Sequence, residues 1–134
     1  MSEERTYIIE TSLQHYSDKL VGMSLLEGLP ELVKKDLINE STRVRVVLNI
    51  VETKGIAQPV WEETSVLQNK DYVKYICSAL KYYLDTLEKS LLKFRVEYGL
   101  NSIEMSLTNK SIELAKKTIE DIRPCKATEQ NSSG

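Results

Sequence analysis

The hydrophobic positions between Asp71 and Tyr98 recur every three or four residues without interruption. This spacing places them along one side of a helix, and neither Gly nor Pro breaks the run. The pattern therefore predicts one long helix over about 70–98, around which the rest of the chain packs. Asn69 is placed to cap the start of this helix, and Gly99 to end it. The stripe consists of Val73, Ile76, Leu80, Tyr83, Leu87, Leu91, Phe94 and Tyr98.

Shorter amphipathic patterns lie on both sides of the long helix. Residues 3–20 have apolar side chains at helical spacing, with a strand at Tyr7-Ile8-Ile9 as the alternative for the start of this segment. Pro30 takes the first-turn position of a short second helix. Another short helix is predicted after Pro59. A last helix is predicted over 108–123, where Pro124 ends it.

Several apolar residues near the second helix are expected to fold against the core. They belong to a connector between Gly22 and Gly28 and to the short helix that follows Pro30. The connector residues are Met23, Leu25 and Leu26, and those of the short helix are Leu32, Val33 and Leu37.

Residues 43–51 fit two periodic patterns. Val44, Val46, Leu48 and Ile50 alternate with other residues, as in a strand, whereas Val44, Val47, Leu48 and Val51 share one side of a helix. No other segment offers a strand partner with comparable alternation, so a helix is favoured. The predicted fold is an all-α, single-domain helical bundle over residues 1–124, with a short strand at 43–51 as the alternative and a disordered polar tail at 125–134.

Charge and cysteine content restrict the classes of function. The chain of 134 residues has 18 basic and 20 acidic side chains, a net charge of −2, so nucleic-acid binding would need a local basic face. Cys77 is expected to be a small buried residue of the long helix, and Cys125 lies in the polar tail. We therefore expect neither a disulfide nor a zinc site.

The N-terminal segment and the apolar runs predict a cytoplasmic location. Residues 1–11 are too polar for a secretory signal, and no apolar run approaches the roughly 18 residues of a membrane-spanning helix. We expect no contact with a membrane.

Catalytic motifs do not stand out from this sequence. His15 is the single histidine and lacks a nucleophile or ligand cluster at a useful spacing. The adjacent carboxylates of Glu62 and Glu63 are typical of exposed turns, and the five glycines form no phosphate-binding loop. We predict no catalytic residue, metal or cofactor, and a non-catalytic role is favoured over an enzyme.

One constellation suggests a binding site. Arginine offers a planar fork for phosphate oxygens, and tyrosine offers a ring on which a base can stack. These residue types occur at Arg43, Arg45, Tyr72, Lys74 and Tyr75, which predicts a site for a nucleotide or single-stranded nucleic acid. The competing interpretation is that the tyrosines extend the core and the arginines are solvated.

The order of these segments resembles a known family. A proline-led helix at 29–34 precedes an arginine-bearing segment with Arg43 and Arg45 that ends in Gly55-Ile56, and an aromatic, basic segment follows at 70–75. This order resembles the helical C-terminal domain of archaeal DNA primase large subunits, and in particular the small accessory X subunit of crenarchaeal primase. The family's histidine near the initiating nucleotide has no counterpart, and the four cluster-binding cysteines of the large subunit are absent.

The resemblance implies a non-catalytic accessory subunit for DNA replication. Such a subunit would bind protein subunits of a larger complex, and single-stranded DNA, RNA or a nucleoside triphosphate at the arginine and tyrosine positions. Two alternatives remain. One is a helical interaction module or homo-oligomeric adaptor that uses the second face of the long helix, lined by Tyr72, Tyr75, Ala79 and Tyr82. The other is a small helical subunit of a CRISPR effector complex.

Overall fold

The structure is a bundle of long antiparallel helices. The computed structural model describes residues 2–54, 70–122 and 125. These residues contain no strand, which confirms the all-α prediction and makes 43–51 helical. The predicted cap at Asn69 and the short helix after Pro59 lie outside the described residues. The helices are α1 (Ser2–Ser24), α2 (Glu31–Lys54), α3 (Lys70–Tyr98) and α4 (Ile103–Asp121).

The core lies where α1 packs between α2 and α3. Ile9 and Leu13 of α1 are completely buried, as are Val44 of α2 and Ile76 of α3. Helix α4 adds Ala115 and neighbouring residues to the same core cluster. Burial of β-branched residues explains why α2 stays helical through its valine-rich part, since tertiary packing outweighs a weak local preference for strand.

The turn from α1 to α2 differs from the predicted connector. Helix α1 continues through Gly22 to Ser24, and α2 runs without a break from Glu31 to Lys54. The turn between them includes Gly28 at φ 84°, a conformation that favours glycine. The connector and the start of α2 were expected to pack inward. This was correct for Leu37, which packs against the core. It was wrong for five residues that are exposed, namely Met23, Leu25, Leu26, Leu32 and Val33.

The apolar stripe of α3 extends further than the core that covers it. Val73, Ile76 and Leu80 are buried, but the core cluster includes no α3 residue beyond Leu84. The last part of the stripe is only half-buried, and Tyr98 is exposed. The C-terminal part of α3 and the start of α4 therefore form a two-helix end beyond the main core.

Helix α4 begins earlier than its apolar pattern predicts. The Ser102 side chain accepts a hydrogen bond from the Met105 backbone N–H at 3.2 Å, which caps a helix starting at Ile103. Gly99, at φ 89°, lies just after α3, where it was predicted to end that helix. At the other end of α4, Asp121 forms an ion pair with the buried Arg5 of α1.

Cys77 and Cys125 form a disulfide, so the prediction of unpaired cysteines was wrong. Their Cα atoms are 5.2 Å apart, and Cys125 is completely buried. After α4 the chain turns back onto α3, where the Cys125 carbonyl accepts a hydrogen bond from Lys81 Nζ at 3.4 Å. The polar composition of 125–134 concealed this contact, because one residue of that segment belongs to the bundle. Residues 126–134 lie outside the described residues.

Breaking the disulfide is expected to destabilise the fold. The bond joins residues 48 positions apart, and closing a loop of that size stabilises a fold by about 2–4 kcal/mol. Chemical denaturation of the protein with and without reductant measures this loss of unfolding free energy. A Cys77→Ser/Cys125→Ser variant should match the reduced protein. Equal stability of the oxidised and reduced protein would contradict the prediction.

The contact between α1 and α2 brings two carboxyl groups near each other. Burial raises the pKa of Glu10 above its ordinary value of 4.5, and the Glu52 carboxylate raises it further. The folded chain therefore holds the proton more tightly than the unfolded chain. The contribution of Glu10 to stability is fully present below pH 4.5 and is lost as the pH rises through the folded-state pKa, since the charged form is the disfavoured one.

A Glu10→Gln substitution removes this pH-dependent penalty. We expect the variant to be more stable than the wild type at pH 7, by about 0.5 kcal/mol or less because solvent screens a carboxylate that is mostly solvated, and equally stable below the ordinary carboxyl pKa. Thermal unfolding of both proteins across pH 3–8 measures the difference. A difference that does not change with pH would contradict the role of ionisation.

Candidate functional site

Arg45, one of the predicted site residues, is held against α1. Its Nε donates a hydrogen bond to Ser17 Oγ at 3.0 Å, and its guanidinium lies 4.0 Å from the Asp18 carboxylate. Ser17 Oγ is also 2.9 Å from Ser41 Oγ, and both serines are buried. The guanidinium of Arg45 thus joins a polar contact between α1 and α2.

Arg43 lies on the opposite flank of α2. Two residues along a helix correspond to a rotation of about 200°, so Arg43 and Arg45 point in different directions. The Arg43 guanidinium forms an ion pair with Glu40 at 3.1 Å and is largely exposed. The structure therefore does not bring the two arginines onto one surface.

The predicted tyrosines pack against the core. Tyr72 and Tyr75 are half-buried, whereas Lys74 is exposed on a different side of α3. Burial raises the pKa of Tyr16, and the Glu40 carboxylate and Tyr75 raise it further, so Tyr16 lies near both of these residues. Arg43 is linked to this group through its ion pair with Glu40, whereas Arg45 contacts Ser17 and Lys74 lies on another side of α3.

His15 stacks on a tyrosine. Its ring centroid lies 4.8 Å from that of Tyr83, at an interplanar angle of 39°. Burial raises the pKa of Tyr83, and Tyr7 raises it further. No group of three His, Cys, Asp or Glu side chains in the described ranges is placed to hold a metal ion.

An open groove runs between the start of α1 and the outer side of α4. It encloses about 560 Å³, and its charged side chains are two acidic and two basic. Such a balanced lining favours neither a strong anion nor a strong cation. The groove is lined by Glu4, Tyr7, Lys110, Glu113, Leu114 and Lys117.

Large apolar side chains are exposed around the turn between α3 and α4. We call this surface the apolar tip. Val96 is 86 % exposed and Ile103 is 74 % exposed, so this end of the hairpin is left uncovered by the rest of the described chain. The apolar tip consists of Leu92, Val96, Tyr98, Leu100, Ile103 and Leu107.

Sequence analysis did not identify the apolar tip, although a signal was present. Leu92 and Val96 are four residues apart and lie outside the apolar stripe of α3. They therefore form a second strip on the side that the stripe leaves for solvent. Ile103 and Leu107 form a similar strip on α4, before the point at which that helix was predicted to begin.

A smaller set of exposed apolar residues lies at the turn between α1 and α2. It includes Leu25 and Leu32, each 77 % exposed, together with Leu26. The set of exposed leucines at this turn is a useful reference for the apolar tip, since it also consists of large apolar side chains and lies in a different part of the fold.

Helix α1 runs antiparallel to α2. Its His15 lies beside Tyr83 of α3, and its Tyr16 lies beside Tyr82.

No helix in the described part of the chain is long and apolar enough to cross a membrane. In comparisons with protein-family models, with curated proteins and with solved structures, the chain matches none of them. The resemblance to primase subunits therefore stays a prediction.

Proposed function

We propose that this chain is a non-catalytic helical subunit that acts by docking a protein partner at the apolar tip. The observation that carries the proposal is the group of large apolar side chains exposed between Leu92 and Leu107. Exposed apolar surface concentrated in one place is typical of protein interaction sites. An accessory subunit of a primase or of a CRISPR effector complex would be held by partner subunits in this way.

The amount of exposed surface is sufficient for docking. Together the exposed fractions of the six side chains equal about four complete side chains. Full burial of one such side chain contributes about 1.5–3 kcal/mol, so complete coverage contributes roughly 6–12 kcal/mol before the cost of association. This range of free energy overlaps the estimated cost of association. Polar contacts at the rim of the interface would stabilise the complex further.

Charges placed on the apolar tip should release the partner. We expect a Val96→Asp/Ile103→Asp variant to lose the protein subunits, including a differently tagged copy of this chain, that co-purify with the wild-type chain from its native cell, because a charge cannot be buried unpaired at low cost. Quantitative mass spectrometry of the purified complexes measures the loss.

A Leu32→Asp variant provides the matched control. It places one aspartate, against two in the apolar tip variant, at an exposed leucine of α2, and it should retain the partner subunits. Thermal unfolding should be unchanged in both variants, since all three positions are exposed. Retention of every subunit by the apolar tip variant would contradict the proposal.

A second candidate function is binding of single-stranded nucleic acid or a nucleotide on the flank of α2 that carries Arg43. The specific observation is that Glu40, which pairs with the exposed guanidinium of Arg43, also lies close enough to Tyr16 to raise its pKa, as Tyr75 does. An exposed guanidinium next to aromatic rings is the combination used for phosphates and bases. Glu40 opposes this function, because its carboxylate already pairs with Arg43 and repels phosphate.

Substitution of Glu40 tests this second candidate. We expect Glu40→Gln to strengthen binding of a labelled single-stranded oligonucleotide at low salt by about three- to tenfold, since it frees Arg43 for phosphate. Arg43→Ala should weaken binding and reduce the slope of log K against log salt by about 0.7. Fluorescence anisotropy measures both effects.

The control for Arg43→Ala is Arg95→Ala, which removes the same charge from an exposed position on α3. It should bind as the wild type does. Absence of binding at low salt by every variant would exclude this candidate and leave the docking proposal unaffected.

A further inference from the structure

We infer that the occupant of the apolar tip is a second copy of this chain. In this arrangement the two α3–α4 ends pair about a two-fold axis, so the same surface of each copy contacts its counterpart. The inference rests on the proposed function, since it names the partner for that docking surface. Three features of the described residues favour self-pairing.

The first feature is the pair of apolar strips on the solvent side of the hairpin. Leu92 and Val96 lie four residues apart on α3, and Ile103 and Leu107 lie four residues apart on α4. All four of these residues are more than half exposed. Two such hairpins would supply four helices, the usual number around one bundle core.

The second feature is the balance of charge. Residues 92–107 include two basic side chains, Lys93 and Arg95, and two acidic ones, Glu97 and Glu104. Two identical surfaces of zero net charge do not repel each other, and opposite charges are available across the axis. Residues 25–36, around the other exposed apolar set, have three acidic and two basic side chains and a net charge of −1. Self-pairing there would bring like net charges together.

The third feature is the area. The exposed apolar surface of one tip is about 250–500 Å², taking roughly 60–120 Å² for each of about four complete side chains. Complete coverage of two tips would contribute at most about 500–1,000 Å² of apolar surface, because Val96 and Tyr98 point to different sides of α3. Because interfaces are roughly 60 % apolar, the total is about 800–1,700 Å², which reaches the lower range of specific interfaces.

Sedimentation of the full chain tests the inference. We expect the wild type to change from monomer to dimer as its concentration rises through about 1–300 μM, as interfaces of modest area do. Val96→Asp/Ile103→Asp should raise the dissociation constant at least about tenfold without changing thermal unfolding. Leu32→Asp, which leaves the apolar tip intact, should dimerise like the wild type.

Two results would overturn self-pairing. One is a wild-type chain that stays monomeric at every concentration. The other is a dimer that survives in the apolar tip variant or is lost in Leu32→Asp. A monomeric wild type whose tip variant still loses co-purifying subunits overturns only the choice of occupant. A monomeric wild type whose tip variant retains those subunits overturns the docking proposal as well.

Discussion

Burial of α1 on two sides is the interaction on which the whole structure depends. Its Ile9 and Leu13 are completely enclosed, and α2 and α3 pack on this helix from different directions. Helices α2 and α3 have few contacts with each other, so α1 is the element that joins the two hairpins. The polar contacts of Arg45 and of Arg5 then fix how α2 and α4 lie against it.

The same arrangement explains why one end of the molecule is apolar and exposed. Helix α3 has 29 residues, whereas α1 has 23, and the core cluster includes nothing of α3 beyond Leu84. The remaining turns of α3 have α4 as their neighbour in the described chain. The part of α3 that extends beyond the core cluster exposes apolar side chains without weakening the core. These side chains are therefore available to contact another protein.

Periodicity predicted the fold well, but it did not show which side chains share a surface. The three-to-four spacing correctly identified α3, because a long stripe depends on local geometry alone, and the lack of a strand partner favoured helix for the valine-rich part of α2. Pairing of Cys77 with Cys125 depends on where the chain returns after α4, which spacing does not encode. The separation of Arg43 from Arg45 followed from helix geometry once α2 was established, and the exposure of Leu92 and Val96 followed from their place outside the apolar stripe of α3.

The covalent bond between Cys77 and Cys125 also has a topological consequence. It closes a ring of chain that contains α3 from Cys77 onward, the turn at Gly99 and all of α4. A single peptide-bond cleavage at Leu100 or Asn101 would therefore leave the two fragments linked. The exposed turn between α3 and α4 thus lies inside the ring that the one cross-link among the described residues closes, and separation of the fragments would require chemical reduction.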